Sequence, residues 1–336
     1  MLVGSHLDSQ PRAGRFDGAY GVLAGAHACA QLHLAALGGE MELSRNLCVV
    51  NWFNEEGCRF KPSMMGSSVY TGKRDLEETL AIRDTAGVSV REALDALGQR
   101  GEDVIPEATA YVELHIQQGK SMEEDGFTIG LVEATWGVRK YELRVLGEQA
   151  HTGSTLIEDR KDALLGASLL IASARKVALE HDVITSCGEL LIEPNSPVAV
   201  AREARLVIDL RSPDAERLTA ADEHFAREVE DAARAANVEI QTVNRHAWDV
   251  LEYAPEGLAL AQEVVTELDL PHTRIMTLAG HDSTNVKDVL PTVMLFVPSH
   301  RGITHNEYEF TSDEDMLAGL EMLTATLRRV AQGELG

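Results

Sequence analysis

The stretch Gly4-Ser5-His6-Leu7-Asp8-Ser9, continued by Phe16-Asp17-Gly18, decides how the 336-residue chain is read. A short apolar run, Leu2-Val3, ends in Gly-Ser and presents a histidine and an aspartate two residues apart. In an extended strand those two positions face the same way. Asp8 is therefore expected to hold the His6 imidazole in one tautomer and orientation, as metal-ligating histidines usually require. Asp17 follows in a glycine-flanked loop before an Ala- and Leu-rich helix, where a carboxylate can reach a metal. Taken alone, the stretch reads equally as a strand-end histidine with two surface aspartates.

Outward from it, Gly18 to Leu37 has helical spacing and is stopped by Gly38-Gly39. Arg45 to Phe53 reads as a buried strand that delivers Asn54-Glu55-Glu56-Gly57 at its C-terminal end, where open α/β sheets bind ligands. Val90 to Leu97 reads as a helix, and Ala110 to Ile116 as a strand carrying His115 ahead of Gln117-Gln118-Gly119. This alternation predicts an α/β domain with a central, largely parallel sheet. The character changes near Trp136-Gly137. Val138 to Leu146 alternates polar and apolar, as a half-exposed antiparallel strand does. A helix from about Arg160 to Leu179, strands over Cys187–Ile192 and Ala204–Arg211, a helix capped by Ser212 with Pro213 at its first position, and a strand over Val238–Val243 follow. The β-α-β-β-α-β order predicts an inserted α+β, ferredoxin-like domain over 137–249, with 1–136 and 250–336 forming the metal-binding domain. From about Pro255 the α/β pattern resumes, with a helix ending near Leu268 and a strand over Thr292–Val297. Thr311-x-x-Glu314 reads as a capping box opening the last helix.

Composition narrows the partners. There are 54 acidic residues against 30 basic, a net charge of -24, which argues against nucleic acid and anionic membrane. The four scattered cysteines lack CxxC spacing and suggest a reducing, cytoplasmic setting. No apolar run is long enough to span a bilayer. His6, Asp17, Glu56, His115 and His305 all fall at or near expected strand ends or loops. Two histidines and a bridging carboxylate could hold one divalent ion; that carboxylate, Glu56 and a third histidine could hold a second. Such pairs of ions activate water and polarise a carbonyl, and mixed His and carboxylate ligands suit Mn, Co, Ni or Zn alike. Beside a metal-binding carboxylate, its neighbour can take the water's proton if their environments separate the two pKa values. On its own, however, Glu55-Glu56 reads as a solvated acidic turn.

The runs Gly-Ser-His-Leu-Asp-Ser, Arg-Phe-Asp-Gly, Asn-Glu-Glu-Gly-Cys-Arg-Phe, Leu-His-Ile-Gln-Gln-Gly, Ala-Gly-His-Asp and Gly-Ile-Thr-His-Asn resemble, in order, the motifs of the hydantoinase/carbamoylase branch of the M20 metallopeptidase-like amidohydrolases. The resemblance covers essentially the whole chain. It implies that His6 and His115 hold one metal, Asp17 bridges, Glu56 and His305 hold the other, and Glu55 is the general base. It further implies that Gln118, Asn195 and His281 contact substrate or lie beside it, that Arg211 takes a substrate carboxylate, and that His151 reaches the partner subunit's site in a homodimer and steadies the oxyanion. The insert becomes a lid and dimerisation domain. The activity implied is cleavage of the C–N bond of N-carbamoyl-L-amino acids or related ureido acids. The alternatives are allantoate or another amide as substrate, or a non-catalytic, ligand-binding relative. Four departures stand out: His151-Thr152-Gly153-Ser154 where the family has His-Ala-Gly-Thr, Gln117 where it has Glu, Val198 where it has a second asparagine, and the lack of an N-terminal segment before His6, which suggests a truncated or misassigned start.

Overall fold

The computed structural model describes residues 1–101, 103 and 107–336. The chain divides into two compact units, Met1–Thr135 with Glu252–Gly336, and Trp136–Leu251.

In the first unit, strands Cys48–Trp52, Leu2–His6, Tyr111–Ile116 and Thr292–Val297 lie side by side in that order and run parallel. The last three are buried along their whole length, as strands covered on both faces must be. Ile129–Thr135 then pairs antiparallel to Thr292–Val297 and parallel to His272–Thr277. On one face, helices Ala19–Leu37, Pro255–Glu267 and Asp313–Ala331 bury Ala24, Ala28, Leu32, Val264, Leu323 and Leu327 against Val3, Val112, Leu114 and Leu295. Leu2 and Tyr111, one position out of phase, join Trp52 and Val286 in a separate cluster. The parallel strands thus bring His6, the turn after Trp52, and His115 to one edge of the sheet, its C-terminal one.

The second unit is a four-stranded antiparallel sheet in the order Glu239–Trp248, Gly137–Leu146, Glu203–Ser212, Ile184–Glu193. Helices Ala163–His181 and Ala215–Ala236 pack on it through Leu170, Val177, Leu218 and Phe225. The chain order is β-α-β-β-α-β, with a short extra pairing of Ala150–His151 and Ala199–Val200. The fold is therefore mixed α/β, with a largely parallel sheet in one unit and an antiparallel one in the other.

Several local expectations are corrected. Cys48–Trp52 is an edge strand with alternating exposure rather than a buried one, because among the described residues only Leu2–His6 pairs with it. Ser212-Pro213 does not open the second long helix. Asp214 caps it, accepting from the amides of Glu216 and Arg217, and Ser212 Oγ accepts from the Asp214 amide. The helix expected from Arg160 begins at Ala163, capped by Asp162. The last helix is capped one residue late, by Ser312 accepting from the Asp315 amide. Thr311 is buried and donates instead to the Pro298 carbonyl.

Candidate metal centre

Asp17 is the hub. Its Oδ1 lies 3.4 Å from His6 Nε2 and 3.1 Å from His115 Nε2. Its Oδ2 lies 3.5 Å from His305 Nε2, which is itself 3.3 Å from Glu56 Oε2. The donor atoms therefore form two triads that share Asp17: His6, Asp17, His115 and Asp17, Glu56, His305. Five residues that the sequence distributes over 300 positions meet at one carboxylate. Glu55 lies beside them, its Oε2 3.7 Å from His6 Nε2, but belongs to neither triad.

The outward nitrogens of the two buried histidines are fixed by the backbone. His6 Nδ1 is 2.9 Å from the Asp8 carbonyl and His115 Nδ1 is 2.9 Å from the Ile116 carbonyl. Each Nδ1 therefore carries a proton, and each Nε2 is the nitrogen turned to Asp17. Asp8 does orient His6, but through its main-chain oxygen. Its carboxylate accepts from the amides of Glu55 and Glu56, both at 3.1 Å, and so sets the acidic turn. Gly18 is obligatory here. Its φ is +66°, and a Cβ would stand 2.3–2.5 Å from the His6 ring.

The electrostatics call for a cation. Burial alone would lower the His6 pKa, yet the Asp17 hydrogen bond and the Glu55 charge push it up to about 11. Against its own burial, Asp17 is held well below the usual carboxylate range by His115 and His6. A buried place that draws protons this strongly is equally a place that stabilises a metal ion. Glu56 Oε1 is buried without a hydrogen-bond partner among the described residues, whereas Oε2 accepts from Gln10 Nε2 at 2.9 Å. The donor set fits a divalent metal: imidazole nitrogens and carboxylate oxygens with lone pairs converging and one oxygen left over.

The other expected residues fall in different places. Gln118 Nε2 donates to Asp17 Oδ2 at 2.7 Å. Gln117 is turned away and supports the short helix Ser121–Asp125, its Oε1 accepting from the Met122 amide and its Nε2 donating to Ser121 Oγ. His281 is 2 % exposed and packs edge-on against His115, with ring centroids 4.4 Å apart. Burial, then the neighbouring His115, presses its pKa down, and its Nε2 is unpartnered among the described residues. His151, Asn195 and Arg211 lie in the second unit. His151 Nδ1 accepts from the amides of Gly153 at 3.0 Å and Ser154 at 3.2 Å, which leaves the proton on Nε2. Val198 is beside it: its carbonyl accepts from the Thr152 amide, and Ala199 pairs with His151. Arg211 pairs with Asp209, Nη2 to Oδ2 at 2.7 Å.

Sequence reasoning missed Glu309 and Thr304. Glu309 Oε1 accepts from the amides of Phe16 at 2.9 Å and Asp17 at 3.0 Å, and Thr304 Oγ1 is 2.8 Å from Asp17 Oδ2. Gly14 makes room for Glu309, since a Cβ there would come within 2.2 Å of its carboxyl. Glu309 thus holds the loop that aims Asp17. Replacing Glu309 with Ala strands two buried amides, at a cost of about 1–3 kcal/mol each. Outer-shell losses of this kind weaken metal affinity by about 10–100-fold. Glu309→Gln, which keeps the acceptor, should retain most of that affinity. Metal titration of the two variants checks this.

A shared carboxylate between two imidazole-bearing clusters, set at the C-terminal edge of a parallel sheet, defines a metallohydrolase class of enzyme. The chain belongs to peptidase family M20/M25/M40, which matches residues 2–329. A Mycolicibacterium smegmatis protein described only as a hydrolase is 49 % identical over 343 residues, covering 100 % of this chain and 78 % of that protein. An N-carbamoyl-L-amino-acid amidohydrolase of Rhizobium meliloti is 31 % identical over 334 residues, covering 98 % of this chain and 79 % of that one. The crystal structure of a hydantoinase/carbamoylase-family amidase from Burkholderia vietnamiensis superposes with a TM-score of 0.91 at 32 % identity, over 98 % of this chain and 80 % of that chain. Among the described residues, no helix is long and apolar enough to cross a membrane.

Proposed function

We propose that the chain is a metal-dependent amidohydrolase that cleaves the C–N bond of N-carbamoyl-L-amino acids or related ureido acids. The observation that carries this reading is Asp17 facing His6 and His115 with one oxygen and His305 with the other. His6, Asp17 and His115 would hold one divalent ion; Asp17, Glu56 and His305 would hold a second, of Mn, Co, Ni or Zn. Bound there, such ions lower the pKa of water and polarise the scissile carbonyl. Glu55 takes the proton of the attacking water and returns it to the leaving nitrogen. His151, with its proton on Nε2, donates to the oxygen that gains charge. Arg211 receives the substrate carboxylate with its planar fork, held in place by Asp209. With a carbamoyl substrate the products are the amino acid, ammonia and carbon dioxide.

The second unit serves as lid and dimerisation domain. Arg211 sits at one end of the Glu203–Ser212 strand, opposite Val138 and Ile184. The His151 segment is tethered at the other end, where the Gly147 amide meets the Arg202 carbonyl. Positions 203 and 211 of an extended strand are about 26 Å apart. That separation favours one site drawing Arg211 from its own chain and His151 from a partner in a homodimer. The free cysteines fit a reducing compartment, the cytoplasm.

The test is ammonia release over a panel of N-carbamoyl-L-amino acids and allantoate, with elemental analysis of the same preparation. Activity should disappear on chelation and return with Mn, Co, Ni or Zn. Hydrolysis of a ureido acid by metal-free protein would overturn the metal role. Metal-replete protein inert across the panel would favour a non-catalytic, ligand-binding relative. A preference for allantoate would select that substrate, and the apolar Val198 beside His151 is where such a preference would be set.

A further inference from the structure

The two helices of the second unit carry a cluster with no part in the hydrolytic centre. Helix Ala163–His181 ends on His181, and helix Ala215–Ala236 presents His224 to it. His181 Nε2 is 3.0 Å from His224 Nδ1, and Glu180 Oε2 is 3.4 Å from that same Nδ1. One donor atom from each of the three residues lies within 4.8 Å of the others. The rings meet edge-on, their centroids 5.3 Å apart.

The surroundings prepare His224 as a ligand. Its far nitrogen, Nε2, is 3.2 Å from Glu228 Oε1. Glu228 is itself held by Lys176 Nζ at 2.8 Å and Ser173 Oγ at 2.6 Å, which keep its carboxyl ionised. A carboxylate fixed in this way accepts a hydrogen bond from Nε2–H and leaves the Nδ1 lone pair aimed at His181 and Glu180. A carboxylate behind the remote nitrogen is the support metal-bound imidazoles typically have. Zn–N bonds of ~2.0–2.1 Å at a tetrahedral angle place two nitrogens ~3.3 Å apart, a few tenths of an ångström wider than the observed pair. A small rotation of either side chain supplies the difference.

We infer that His181, His224 and Glu180 bind one Zn²⁺ ion, with a fourth position open to water. Two imidazoles and one carboxylate favour Zn over Mg or Ca. The ion would tie the end of one helix to the body of the other, just where Asp182, at φ +52°, turns the chain towards strand Ile184–Glu193. Binding there adds directly to the stability of this unit.

The experiment loads the full chain with excess Zn²⁺, removes unbound ion, and counts zinc per chain by elemental analysis. The His181→Ala/His224→Ala double variant should carry one ion fewer than the unaltered protein and lose part of the zinc-dependent rise in Tm. Its ureido-acid hydrolysis should be unchanged. Glu228→Gln, which keeps all three ligands, should hold that ion about 10–100-fold more weakly. Circular dichroism confirms that each variant is folded, and Glu228→Gln carries the test if the double variant is not. The count is read whether or not hydrolysis is detected, so failure of the catalytic reading would not imitate failure here. Equal zinc in the double variant and the unaltered protein, or full affinity in folded Glu228→Gln, would overturn the inference.

Discussion

Asp17→Ala should empty both proposed ion positions at once and remove hydrolysis. Every other ligand serves one triad, whereas Asp17 serves both. Its loss also disturbs the ligands that remain. His6 and His115 are buried and lose the anion that their Nε2 atoms face at 3.4 and 3.1 Å. Gln118 Nε2, now 2.7 Å from Oδ2, loses that acceptor, and Thr304 Oγ1, now 2.8 Å away, is left with Glu309 Oε2 at 3.2 Å. Breaking a buried charge pair by removing one partner costs about 3–5 kcal/mol. The loss of rate should therefore exceed the ~10²–10⁴-fold expected for removing a proton-transfer group alone. Elemental analysis decides the matter: metal content should fall at both positions together, while His305→Ala should spare the His6–His115 ion. If Mn-loaded Asp17→Ala retained one full equivalent, the carboxylate would not be shared. A bound metal stabilises the folded state by mass action, so the thermal midpoint of Asp17→Ala should also stop responding to added Mn and keep only the zinc response of the His181–His224 cluster.

Strand-end ligands were legible because a parallel strand points its last residues at the site by construction. Leu2-Val3 ahead of His6, and Tyr-Val-Glu-Leu ahead of His115, are short, mostly apolar runs, and such runs become buried central strands. The supports of Asp17 were not legible. Glu309 and Thr304 meet Phe16 and Asp17 only through tertiary structure, across nearly the full length of the chain. No periodicity marks a carboxylate that accepts two distant amides. The helix caps show a different failure. Thr311-x-x-Glu314 and Ser312-x-x-Asp315 both satisfy the capping pattern, and burial of Thr311 against the Pro298 carbonyl chooses the second. Strand Ile129–Thr135 escaped because it contains Gly130 and Glu133 and abuts the next strand with no turn signal between. Gly130 is needed for packing, since a Cβ there would lie 2.8 Å from Met122 Sδ. The Gln117 departure is also explained by tertiary structure: the side chain supports the helix Ser121–Asp125.

Glu55→Gln should keep the metal and lose most of kcat. The backbone amides of the two neighbouring glutamates are held by one residue, Asp8, yet their carboxylates occupy different surroundings. Glu56 Oε2 is 3.3 Å from His305 and completes a ligand triad. Burial, ahead of any charge, raises the pKa of both carboxyls, that of Glu55 well above the ordinary carboxylate value, whereas His305 and the Gln10 hydrogen bond draw Glu56 back down. A base raised towards neutrality accepts a proton from water and can give it back to the leaving nitrogen. Glutamine has the same shape and cannot do this, so kcat should fall about 10²–10⁴-fold with KM and metal content little changed. If Glu55→Gln instead loses an ion and recovers full activity on reloading, the roles of Glu55 and Glu56 are reversed. The same variant tests the subunit arrangement. Mixed with His151→Ala protein under conditions where subunits exchange, it should regain activity, because one of the two hybrid sites would combine an intact Glu55 with an intact His151. Exchange without any recovered activity would place His151 in its own chain's site or outside the chemistry altogether.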